Sequence, residues 1–221
     1  MHTDKKTTYF IGGIATDHRF YDYPLSQIPG AIYLPFPRHQ RGDTMAAYCR
    51  RFLPLIDSSK PFNLVGNSMG GIMVMELLRL LQPEKVILVS SVKCRAEMPW
   101  RLRQLRYTGL HRLLPGKGFI AATRYGSWLL RELRQAPDVR NLAVSMAENN
   151  DPAFLYWCVH AIVHWEGYRD YRKDIIHIHG THDTMFPYRN IAGALPVAGG
   201  THLMQLTRKE ALTSLLLQHL R

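Results

Sequence analysis

Apolar and polar positions alternate in blocks along the first ninety residues. Short apolar runs stand at Thr8–Gly13, Ala31–Pro35, Phe62–Val65 and Val86–Ser90. Glycine, proline or a polar turn punctuates each of them. Runs this short, rich in β-formers and apolar throughout, predict strands buried on both faces of a parallel sheet. Longer stretches between them carry helical spacing. Asp43 or Thr44 is placed to cap a helix running to about Ile56, with Met45, Cys49, Phe52 and Ile56 on one side. A second helix follows Ser68 and runs to Leu81, where Pro83 stops it. The region around Pro24 and Pro29-Gly30 reads as a connection.

The alternation stops at Ser91 and resumes near Asp174. In between, the pattern predicts helices near 98–107, 118–135, 138–147 and 152–165, and no convincing strand. It then returns as strands at Ile175–His179 and Ala194–Val197, closed by a helix at Arg208–Leu220. Strands alternating with helices imply an α/β fold: a doubly wound, mostly parallel sheet of about six strands with helices on both faces. Residues 1–90 and 174–221 form the expected core, and 91–173 an inserted helical cap. All four tryptophans lie in the cap: Trp100, Trp128, Trp157 and Trp165. Positions 154, 157, 158, 161 and 165 share one apolar stripe, which marks Phe154, Trp157 and Trp165 as candidate walls of a substrate pocket. A stripe of this kind also serves as plain core packing.

A chain of 221 residues with 46% hydrophobic residues fits one domain, or one domain with an insertion. No apolar run approaches the roughly 20 residues needed to span a bilayer. The polar start MHTDKKTTYF lacks the apolar core of a secretion signal. Three well-separated cysteines, Cys49, Cys94 and Cys158, suggest a reduced compartment and no zinc framework. The expected location is the cytoplasm. The formal charge is +11, and residues 93–140 hold eleven Lys/Arg against three acidic residues. Such a patch suits an anionic substrate or surface, or is a set of solvated arginine faces. No zinc finger, RNP-like segment or other recognition pattern accompanies it, so no nucleic-acid partner is expected.

Chemistry enters at Gly66-Asn67-Ser68-Met69-Gly70-Gly71. A serine at the apex of a sharp strand-to-helix turn needs glycines two residues before and after it, to avoid clashes across the turn. Its hydroxyl then stands at a helix amino end, where N–H groups favour developing negative charge. In a parallel sheet all carboxyl ends share one edge. Four loops on that edge carry suggestive residues: Gly13-Ile14, Ser68, Asp183 and His202. A serine nucleophile needs a base and a group that orients the base. Ser68, His202 and Asp183 can supply these roles. Glu166, Asp170 and Asp174 compete for the acid's role but fall on a cap helix or at the wrong end of a strand. His177, His179 and His182 compete for the base's role. The first two look like packing or hydrogen-bonding residues on one strand face.

With GNSMGG as nucleophile turn, HGTHD as acid loop, GGTH as histidine loop and FIGGIATD after the first strand, the chain resembles a small α/β-hydrolase of the serine-hydrolase, esterase-like type. The resemblance covers residues 8–90 and 174–221. It implies strand order 2-1-3-4-5-6, and a cap inserted after the fourth strand. It also implies an oxyanion hole made by the backbone N–H groups of Met69 and Ile14, with Gly13 or Ala15 as alternatives to Ile14. The expected activity is hydrolysis of a small-molecule carboxylic ester or thioester through an acyl-enzyme at Ser68, an anionic substrate being one option. Acyl transfer, amide or carbon–carbon bond hydrolysis on the same triad, or non-catalytic ligand binding, are the alternatives. No cofactor is expected. A metal site from His177, His179, His182 and His202, or half a site from His160 and His164, is weighed and set aside, because no carboxylate completes an H-E-x-x-H pattern.

Overall fold

Strand β3, Phe62–Asn67, is buried at all six positions, and the sheet is built outward from it. The computed structural model describes residues 6–113, 116–125, 136–167 and 174–220. Strands β1 (Thr7–Ile11), β2 (Ala31–Leu34), β3, β4 (Lys85–Val89), β5 (Ile176–Gly180) and β6 (Leu195–Val197) form one sheet in the order β2-β1-β3-β4-β5-β6. All neighbours are parallel. Registers such as Ile11 opposite Gly66, Gly66 opposite Leu88 and Val89 opposite Ile178 bring the carboxyl ends of the central strands to one edge.

Alternate side chains of the central strands β1, β3 and β4 enter two different cores, as a period of two requires. Tyr9, Ile11, Leu64, Val86 and Leu88 join one cluster; Phe10, Val65, Ile87, Val89 and Ile178 join the other. Helices α2 (Met45–Cys49) and α3 (Met69–Leu77) feed the first. Helix α1 (Asp22–Gln27) and the carboxyl-terminal helices α8 (Met204–Thr207) and α9 (Lys209–Leu220) cover the second.

The structure settles one choice that the sequence left open and departs from the pattern at two other places. Thr44, not Asp43, caps α2, its Oγ1 accepting from the Ala47 N–H at 3.1 Å, while Asp43 pairs with Arg51. The helix expected to reach Ile56 gives way at Arg50–Leu55 to a 3₁₀ stretch that contains Pro54. A proline inside a helix removes a donor and crowds the preceding turn. Helix α1 sits where prolines suggested only a connection, because Pro24 falls in its first turn, where the missing N–H costs nothing.

Between β4 and β5 lie α4 (Trp100–Thr108), α5 (Gly116–Tyr125), α6 (Pro137–Glu148) and α7 (Pro152–His164), with no strand among the described residues. Trp128 and the end of the helix expected at 118–135 fall outside those residues. Helix α7 starts cleanly: the Asp151 carboxylate accepts from the Ala153 N–H at 3.0 Å, and Pro152 takes the first position. Its apolar stripe of Phe154, Trp157, Cys158 and Ala161, with Trp165 just beyond, packs into the α2–α3 core. Trp157 Nε1 donates to the Asp43 carbonyl at 2.9 Å, and Trp165 Nε1 donates to the buried Glu76 carboxylate at 2.7 Å.

Candidate active site

Ser68 has φ 51° and ψ −120°, a conformation that an L-residue occupies only at a cost of about 1–3 kcal/mol. The surroundings enforce it. The Ser68 N–H donates to the Val89 carbonyl at 3.0 Å, and the Ser91 hydroxyl donates to the Ser68 carbonyl at 2.7 Å. A Cβ on Gly66 would lie 2.5 Å from the Gly70 carbonyl oxygen, and one on Gly70 would collide with the carbonyls of Ile11 and Gly12. The two glycines expected from the turn are therefore obligatory for this approach of β1, β3 and α3.

Asp183 follows β5, and His202 follows β6. Gly180 lets their loops touch: a Cβ there would meet the Gly200 backbone, while the His182 N–H donates to the Gly200 carbonyl at 2.8 Å. Asp183 Oδ1 accepts from the N–H groups of Met185 and Phe186 at 2.9 and 2.8 Å, which closes a turn. Asp183 Oδ2 faces His202 Nδ1 at 2.8 Å. That nitrogen therefore carries the proton, and Nε2, 2.9 Å from Ser68 Oγ, is the acceptor for the serine hydroxyl. Burial alone pushes the Asp183 carboxyl up. The positive charge available at His202 and the hydrogen bonds from His179 and His202 outweigh it and hold the carboxyl well below the usual carboxylate range.

The rivals are sorted by the same geometry. His182 is exposed. Glu166 pairs with Arg106 at 2.5 Å, Asp174 is exposed, and Asp170 lies outside the described residues. His179 is a different case, expected only to pack or to hydrogen-bond on its strand face. Its Nε2 lies 2.7 Å from the Phe186 carbonyl and 3.2 Å from Asp183 Oδ2, so it carries a proton shared between them. Its Nδ1 lies 3.3 Å from His177 Nε2. The acid thus rests on a fully buried second imidazole.

Met69 opens α3, so no carbonyl of its own helix lies four residues back to take its N–H. Across from it, a Cβ on Gly13 would lie 3.0 Å from Ser68 Cβ. The absence of that atom lets the Gly13-Ile14 loop approach Ser68. Ile14 and Ser68 both border a cavity of about 390 Å³. Phe119, Met146, Val159, Ile162 and Val163 wall it from the α5–α7 side. Phe154, Trp157 and Trp165 do not line it. They lie on the side of α7 that enters the core, where Trp157 and Trp165 also edge an outer groove, and the Ser68 cavity is met by the next stripe round the helix, which holds fewer bulky residues and carries the weaker sequence signal.

The sequence matches the alpha/beta hydrolase family over residues 12–214. The chain belongs to that family. A comparison with curated protein sequences finds no match. Among solved structures the chain is similar to a thermophilic esterase from Thermogutta terrifontis, at TM-score 0.74 and 16% identity, over 98% of this chain and 89% of that one. MenH from S. aureus aligns at TM-score 0.77 and 12% identity, over 98% and 93%. The enol-lactonase from Burkholderia xenovorans aligns at TM-score 0.68 and 18% identity, over 100% and 93%. At these identities the likeness speaks to the fold. No described helix is long and apolar enough to cross a membrane.

Proposed function

We propose that the protein is a serine hydrolase that cleaves a carboxylic ester or thioester with an apolar acyl group. The observation that carries this reading is the hydrogen-bonded series Asp183–His202–Ser68 opening onto an apolar cavity. Ser68 Oγ attacks the carbonyl carbon as His202 Nε2 takes its proton. The backbone N–H groups of Met69 and Ile14 receive the negative charge that builds on the carbonyl oxygen; each such donor is worth about 3–4 kcal/mol in comparable sites. His202 then protonates the departing alcohol or thiol. Water, activated by the same imidazole, releases the acid and restores Ser68.

The acyl group is read as uncharged, because no Lys, Arg, Asp or Glu borders the cavity among the described residues. The volume is near the lower end of the roughly 300–1,000 Å³ typical of small-molecule sites, which favours a short or medium chain. The basic residues of 93–140 then act outside the acyl site. Residues 91–173 serve as the cap over a core of 1–90 and 174–221.

A fluorophosphonate probe is expected to label the wild type on Ser68 and to leave Ser68→Ala unlabelled. The same variant loses turnover of nitrophenyl esters, and neutral acyl chains are preferred over acidic ones of equal length. Labelling elsewhere, or undiminished turnover in Ser68→Ala, would sink the reading.

A further inference from the structure

Helix α7 has a third face, beside those that meet the core and the Ser68 cavity. His160 and His164, four residues apart, stack with ring centroids 4.1 Å apart, and the 3₁₀ turn Leu110–Leu113 brings buried His111 against them. One ring nitrogen from each of the three lies within 4.8 Å of the others. We propose that His111, His160 and His164 form a binding site for a divalent transition-metal ion of the zinc class, separate from the catalytic centre.

Two features suit a cation of that class better than simple packing of imidazoles. First, backbone carbonyls already choose the tautomers. His111 Nδ1 lies 3.1 Å from the Leu105 carbonyl and His164 Nδ1 lies 2.9 Å from the His160 carbonyl. Both Nδ1 atoms therefore carry protons, and both Nε2 atoms keep their lone pairs. A ligating histidine commonly donates its second N–H in this way. Second, the spacing fits. His111 Nε2 and His160 Nδ1 are 3.1 Å apart. Two nitrogens about 2.0–2.1 Å from a tetrahedral zinc ion stand roughly 3.3 Å apart. Without metal, His160 Nδ1–H donates to the His111 lone pair. On binding, His160 moves that proton to its own Nε2, so both facing nitrogens ligate and no proton is lost.

The site borders an outer groove shared with Arg106, Arg112 and Glu166, and Val159, Ile162 and Val163 of the same helix face the Ser68 cavity. Arg112 is exposed, so solvent screens its charge from the bound ion. Water or an anion completes the coordination. The ion ties the 110–113 turn to α7 and closes a long loop of chain, where a metal clip constrains the unfolded state most.

The test is a zinc titration of the chelator-stripped full chain. The expected result is one zinc per chain with a dissociation constant of about 1 µM or tighter. At roughly a hundred-fold excess over that constant the thermal midpoint rises by about 5–10 °C. His164→Gln and His160→Gln, at half-buried positions and so least disturbing to the fold, each weaken binding by about tenfold or more. Cobalt(II) is expected to give the visible bands of a tetrahedral site in the wild type and not in the His160→Gln/His164→Gln double variant. No saturable binding at roughly 100 µM zinc overturns the proposal. So does binding that persists unchanged in the double variant, or zinc that blocks fluorophosphonate labelling of Ser68 equally in both proteins, since the ion then sits on His202.

Discussion

Two groups of three histidines lie among the described residues, and their partners differ. His179 and His202 flank the buried Asp183 carboxylate, and His177 stands behind His179. His111, His160 and His164 gather between α7 and the 110–113 turn, and two of them donate to the backbone carbonyls of Leu105 and His160. Either kind of partner fixes a tautomer. Only the carboxylate also stabilises an added proton. The arrangement of the first group thus supports the proposed proton transfer to and from Ser68, and that of the second the proposed presentation of lone pairs. Residue type alone does not separate them; the atom opposite each Nδ1 or Nε2 does.

The most severe way to break this distinction is to remove the charge while keeping the shape. In Asp183→Asn the amide still accepts at one atom, but it no longer favours the imidazolium, and its NH₂ group competes for the place of His202 Nδ1–H. Turnover is expected to fall by about 10⁴, the effect of the equivalent change in serine proteases. Steady-state kinetics on a nitrophenyl ester measure it. A loss below tenfold would mean that Asp183 serves only its turn with Met185 and Phe186.

A smaller effect tests His179. Its Nε2–H is one of the donors that hold the Asp183 carboxyl low. In His179→Ala the carboxylate loses that donor and holds the proton of the imidazolium harder. The expected outcome is a fall in kcat of about tenfold with KM little changed, since no substrate atom is touched. The acid limb of the pH profile moves to higher pH in the same variant. A fall in kcat with an unmoved acid limb would leave His179 a packing residue.

The main lines of the fold and of the candidate site's geometry were legible in the sequence because backbone geometry dictates them. Gly66 and Gly70 are required by the approach of three chain segments, and such requirements leave glycines at fixed spacing. Strand order and the placing of Ser68, Asp183 and His202 on one edge follow from alternation in a parallel sheet. What was not legible depends on rotation about a helix and on contacts distant in sequence. Phe154, Trp157 and Trp165 were prominent because they are large, yet size marks burial: all three pack in the core, and Trp157 and Trp165 edge the outer groove instead of the Ser68 cavity. Val159, Ile162 and Val163 line the cavity with side chains too ordinary to stand out. His111 joins His160 and His164 across about fifty residues of chain, a contact that no local pattern carries.

The mildest effect concerns His177, the far end of the first group. Burial, then the charge available at His179 and Lys93, lowers it well below the ordinary histidine value, so the folded protein holds it neutral. The unfolded chain protonates it at about pH 6.5. Between those two values the unfolded state binds one more proton, so stability falls as the pH drops through about 6.5, by up to about 1.4 kcal/mol per pH unit. Asp183 adds nothing to this window: its lowered carboxyl contributes stability above about pH 3.9 that is lost only on further acidification. Urea unfolding at about pH 7.5 and about pH 5.5 brackets the histidine range. His177→Gln, which retains a donor for His179, is expected to lose less stability across that interval than the wild type. His111 and His160, also lowered, titrate alike in both proteins, so the difference isolates His177. Equal losses would mean that His177 takes its proton in the folded state as readily as in the unfolded chain. The first group would then hold charge along its whole length, and not only where His202 meets Asp183.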